Sequence, residues 1–68
     1  MLLKVENMSC QHCVRSVTAA LRALDAEARV DVDLAHGEVR AQGAFTPQAA
    51  VEALAEADYP AQLIAADD

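Results

Sequence analysis

The chain has 68 residues, enough for one small domain and too few for a second. Five Lys and Arg stand against eleven Asp and Glu, a formal net charge of −6, so nucleic acid and anionic membrane surfaces are poor partners. Apolar residues make up 54% of the chain, yet only Phe45 and Tyr59 are aromatic, so the expected core is aliphatic.

Leu3 and Val5 alternate with Lys4 and Glu6, the period-two pattern of a half-buried strand ending near Asn7. No basic segment leads into a signal-type apolar stretch, and no apolar run approaches membrane-spanning length, which sets a cytoplasmic location as the expectation. From Gln11 to Leu24, Val14, Val17, Ala20, Leu21 and Leu24 recur at steps of three and four, predicting an amphipathic helix. Ala28, Val30, Val32 and Leu34 alternate with Arg29, Asp31 and Asp33, and Val39 and Ala41 alternate with Arg40 and Gln42. These two strands form a hairpin with Gly37 in its turn. Thr46 and Pro47 mark a second helix start, hydroxyl as N-cap and ring in the first position. Ala50, Val51, Leu54 and Ala57 form its buried stripe, and it ends near Asp58. Ala61 and Leu63 alternate with Gln62 and Ile64 in a weak final strand before the polar tail Asp67-Asp68.

The order strand, helix, strand, strand, helix, strand predicts an α+β fold over residues 1–66. It is the ferredoxin-like βαββαβ sandwich, a four-stranded antiparallel sheet with two helices on one face.

Cys10 falls in the loop after the first strand and Cys13 in the first turn of the first helix, so both sulfurs converge on the helix N-terminus. Unsatisfied N–H groups and the positive end of the helix dipole there favour thiolate over thiol. Two cysteines in a reducing compartment act as metal ligands or redox groups rather than as a staple. Soft sulfur donors select soft ions such as Cu(I), whereas a structural zinc site wants four donors, and only His12 and His36 could supplement this pair. A CxxC pair at a helix start equally serves thiol-disulfide exchange, so metal and redox chemistry both stand on spacing alone.

The segment Met8-Ser9-Cys10-Gln11-His12-Cys13, between a strand and a helix, resembles the metal loop of the heavy-metal-associated (HMA) domain family. The likeness continues through Cys13-Val14-x-x-Val17, the strand Val30-Asp31-Val32-Asp33-Leu34, Val51-Glu52-Ala53-Leu54 and Asp58-Tyr59. It is closest to the stand-alone bacterial copper chaperones of that family. The resemblance implies a non-enzymatic carrier that binds Cu(I) through Cys10 and Cys13 and passes it to the metal-binding domain of a copper-transporting P-type ATPase. It also implies a copper-responsive regulator as a further recipient, an apo monomer and a metal-bridged homodimer. The competing readings are a separately encoded metal-binding domain of a transport ATPase, a Zn(II) or Cd(II) carrier, and a thiol-disulfide oxidoreductase. Ser9 offers no carboxylate beside the first cysteine, which weighs against Zn(II) and Cd(II). The two helices and hairpin do not match a thioredoxin layout.

Asn7 and Asp58 stand where the family commonly has glycine. Asn and Asp best tolerate a left-handed backbone after glycine, so the loop geometry is expected to survive. Met8 is expected to pack beneath the metal loop, behind the ligands. His12 is rotated about 100° from Cys13 on the helix, toward solvent, and is a candidate auxiliary or bridging ligand. His36, in the hairpin turn, is expected at the opposite end of the first strand from the metal loop and receives no role. For Tyr59 the resemblance implies packing near the metal loop, where its phenol limits solvent access and tunes the thiolates. Glu52 with Glu56, and Asp31 with Asp33, read as solvated faces.

Overall fold

Strands Leu2–Val5 (β1), Arg29–Asp33 (β2), Glu38–Gln42 (β3) and Ala61–Ala65 (β4) form one antiparallel sheet of order β2-β3-β1-β4. This arrangement comes from a computed structural model that describes residues 1–66; the expected tail Asp67-Asp68 lies outside the described residues. Helix α1 (Gln11–Arg22) crosses from β1 to β2, and α2 (Pro47–Glu56) crosses from β3 to β4. The chain has the ferredoxin-like βαββαβ fold that its residue pattern predicts.

Alternation places Leu3, Val5, Val39 and Ala41 on the helix side of the sheet, where they are buried, and leaves Lys4 and Arg40 exposed on the other. The helices contribute Val17, Leu21, Ala50 and Leu54 to the same cluster. Leu3, Leu21, Leu54, Val17 and Val39 are the largest fully buried side chains, so the core is aliphatic. At the start of α2 the Thr46 hydroxyl accepts from the Ala49 N–H at 3.0 Å, with Pro47 in the first turn.

Two expectations need correction. Helix α1 stops at Arg22 and not at Leu24. Both the Leu24 and Asp25 N–H groups turn back to the Leu21 carbonyl, and the Asp25 carboxylate accepts from Glu27 and Ala44 N–H groups, which draws the chain off the helix axis. Leu24 therefore leaves the stripe and is 40% exposed. On β4, Leu63 shares the buried face with its cross-strand partner Leu3, yet it is 43% exposed because β4 is an edge strand.

The second concerns His36, which lies at the Cys10–Cys13 end of the sheet and not at the far end. A crossover returns the chain to the starting edge, so β2 runs in the same direction as β1 and the turn after β2 comes out beside the end of β1. The Val5 N–H donates to the Gly37 carbonyl at 2.8 Å, and Lys4 Nζ donates to the His36 carbonyl. Gly37 sits in that turn at φ +64°, with a Cβ there only 3.3 Å from the Val5 carbonyl oxygen, a position suited to glycine.

Candidate metal centre

The candidate metal loop is a short bridge between two regular elements. β1 ends at Val5 and α1 begins at Gln11, so residues 6–10 must reverse the chain from the sheet onto the helix layer. Asn7 makes that reversal possible by adopting φ 69°, and Asp58 adopts φ 70° in the loop after α2. These are the left-handed positions expected of Asn and Asp at these two places.

Cys10 occupies the N-cap of α1 with an extended backbone (φ −156°, ψ 173°), and its side chain makes no capping hydrogen bond. Its carbonyl accepts from the Val14 N–H at 3.2 Å, which begins the helix. The sulfur is thereby left over the helix end rather than spent on the backbone. Cys13, one turn on, is half-buried and packs against the core cluster, whereas Cys10 is exposed. The two sulfurs are 3.5 Å apart and both cysteines are free. Metal–sulfur bonds of about 2.3 Å span that gap, and exposed Cys10 has room to rotate outward and widen it.

Several donors converge on the Cys13 sulfur. Its pKa is lowered from 9.0 to about 7, chiefly by the Ser9 backbone N–H, then by the Tyr59 hydroxyl and the Cys10 thiol; partial burial opposes this. In the thiol form it donates to the Asn7 carbonyl at 3.6 Å. The Tyr59 phenol is pushed up by the same contact with Cys13, so it remains a donor to the sulfur. The Ser16 hydroxyl also hydrogen-bonds Tyr59. Tyr59 itself is buried, with its N–H on the Leu54 carbonyl at 2.8 Å.

The remaining candidates separate clearly. Met8 is half-buried and packs against the core cluster beneath the loop. His12 is exposed on α1. The His36 ring is 72% exposed and is paired through Nδ1 with Asp33 at 2.8 Å, an interaction that holds the Asp33 carboxyl below its usual range. Among the described residues, no three His, Cys, Asp or Glu side chains gather into one cluster that could hold a metal ion.

Two participants were not singled out from the sequence. Ser16 lies three residues after Cys13 on α1, a spacing that places both on one helix face, so its proximity was readable in principle. The Ser9 N–H carries no side-chain signal, and only the loop conformation aims it at a sulfur.

Known proteins share this layout. The family model of the heavy-metal-associated domain matches residues 2–60. The copper chaperone CopZ of Staphylococcus aureus is 44% identical over 41 residues, a stretch covering 60% of this chain and 60% of CopZ. The copper chaperone Atx1 of Synechocystis PCC6803, solved as a trimeric Cu1 form of a His61Tyr mutant, superposes with a TM-score of 0.88 at 32% identity. That match covers 91% of this chain and 98% of Atx1. The yeast copper transporter domain Ccc2a, solved in apo and Cu(I)-loaded states, shares the fold with a TM-score of 0.87 at 20% identity over 97% of this chain and 94% of the domain.

Proposed function

Because the chain belongs to the heavy-metal-associated domain family, we propose that it is a copper chaperone whose cargo, Cu(I), is held between the thiolates of Cys10 and Cys13. The observation that carries this reading is the sulfur pair itself, 3.5 Å apart at the start of α1, with one member exposed and the other half-buried. Two soft donors suit an ion that accepts few ligands, whereas Zn(II) wants four. The copper chaperones CopZ and Atx1 among its relatives support the same cargo.

Delivery proceeds by ligand exchange. An incoming thiolate of the recipient approaches at exposed Cys10 and binds the ion while both original bonds remain. Cys10 and then Cys13 leave as recipient sulfurs replace them. Copper stays monovalent throughout, and each released cysteine is free to take up a proton. The low pKa of Cys13, about 7, favours the thiolate that holds the ion, and the Tyr59 hydroxyl covers that sulfur from the protein side. His12 is an auxiliary contact for the ion from solvent, and Met8 supports the loop from beneath. The recipient is the metal-binding domain of a copper-transporting P-type ATPase or a copper-responsive regulator. Among the described residues no helix is long and apolar enough to cross a membrane.

Anaerobic competition of Cu(I), Zn(II) and Ag(I) for the reduced protein, read by native mass spectrometry, tests the cargo. One tightly held Cu(I) per chain is expected, and preference for Zn(II) over Cu(I) would overturn the assignment. Cys10→Ser and Cys13→Ser should each abolish transfer to a recipient domain, since one thiolate cannot retain the ion until the recipient arrives.

A further inference from the structure

The loop of residues 57–60 joins α2 to β4 and carries Tyr59 to the metal loop. Backbone hydrogen bonds tie it back to α2 through the Ala57, Asp58 and Tyr59 N–H groups and across to Glu6 through Pro60. The Tyr59 N–H reaches back to Leu54, and the Pro60 carbonyl accepts from the Glu6 N–H, each at 2.8 Å. A side chain adds a further tie at Asp58: Asn7 Nδ2 donates to the Asp58 carbonyl at 3.2 Å, across 51 residues of sequence. The Asn7 carbonyl, on the same residue, accepts from Cys13 Sγ at 3.6 Å. Asn7 thus touches the Cys13 sulfur with its backbone and the Tyr59 loop with its side chain. Glycine would adopt the φ of 69° seen at Asn7 without strain, but it has no amide to reach Asp58.

We propose that Asn7 is a positioning residue of the metal site, its side-chain amide fastening the 57–60 loop to the metal loop so that the Tyr59 hydroxyl stays against the Cys13 sulfur. This rests on the reading of Cys10 and Cys13 as the Cu(I) ligands. With the loop fastened, the phenol covers the Cys13 side of the ion and exchange enters from Cys10. With it loosened, a competing ligand gains a second approach.

Tyr59 is the one tyrosine of the sequence, which has no tryptophan, so tyrosine fluorescence, excited above the phenylalanine band, reports on this ring alone. Acrylamide quenching of the reduced, metal-free protein is therefore measured for wild type, Asn7→Gly and Asn7→Asp, each checked for a native circular dichroism spectrum. Asn7→Gly relaxes the backbone while removing the amide, and Asn7→Asp keeps size and left-handed tolerance while removing the donor. Quenching is expected to rise in both.

In the Cu(I)-loaded protein, Asn7→Gly should speed release to a copper chelator by about two- to tenfold, the effect of one lost exposed hydrogen bond. Tyr59→Phe should do likewise, and the double variant should be no faster than the faster single one, because both changes break the same brace. Wild-type quenching and release in Asn7→Gly, or multiplicative effects in the double variant, would overturn the proposal. The metal-free quenching reads the brace even if wild type takes up no Cu(I), a result that would count against the proposed cargo instead.

Discussion

The difference between the two cysteines comes from where their residues fall rather than from their chemistry. Cys10 is an exposed N-cap, while Cys13 is half-buried against the core and receives the Ser9 N–H and the Tyr59 hydroxyl. A thiol lowered from 9.0 to about 7 is about half thiolate near neutral pH, and thiolate is the alkylating form. Alkylation of Cys13 in the reduced apo protein, followed by mass spectrometry across pH, should therefore rise with a midpoint near 7. Tyr59→Phe removes one of the donors and should move that midpoint upward; an unmoved midpoint would mean that the phenol does not act on the sulfur. The spacing of Cys10 and Cys13 was readable from the sequence, as was the left-handed tolerance of Asn7 and Asp58. The inequality of the two thiols was not, since it depends first on a Ser9 N–H aimed by the loop conformation and then on a tyrosine 46 positions after Cys13.

Each element that frames the site starts or stops for a local chemical reason. Thr46 caps α2 through Ala49, and α2 in turn carries the chain to Asp58 and Tyr59. Thr46→Ala should cost about 1 kcal/mol, seen as a melting temperature lower by about 4–8 °C in a domain of this size. Its Cu(I) stoichiometry should stay at wild type, because the cap lies at the opposite end of α2 from Tyr59. The end of α1 was less legible. Apolar spacing continues to Leu24, but the Asp25 carboxylate reaches the Ala44 N–H at 2.8 Å and takes the chain elsewhere. A helix-period pattern cannot register that competing bond, since Ala44 belongs to a different segment.

For the whole molecule the margin is small. A stability of about 3–10 kcal/mol is expected of a chain this long, and Leu54 sits fully buried at the centre of the core. Leu54→Ala, at about 2–5 kcal/mol, should therefore remove a large share of that stability, seen as a lower midpoint in chemical denaturation. The same residue lends its carbonyl to the Tyr59 N–H, so the core and the placement of Tyr59 are joined through one turn of helix.

By itself the sequence determined the order of elements, the aliphatic core, the α2 cap and the placing of both cysteines at a helix start. Each of these depends on residues within a turn or a strand of one another, and periodicity records that. Only the tertiary structure decided that the His36 turn shares an end with the Cys10–Cys13 loop, that Leu63 lies at an exposed rim, and that Asn7 reaches Asp58. The physical reason is that these depend on strand direction, on which strand becomes an edge, and on contacts between remote segments. Such relations are set by how the whole sheet closes, and no local pattern carries them.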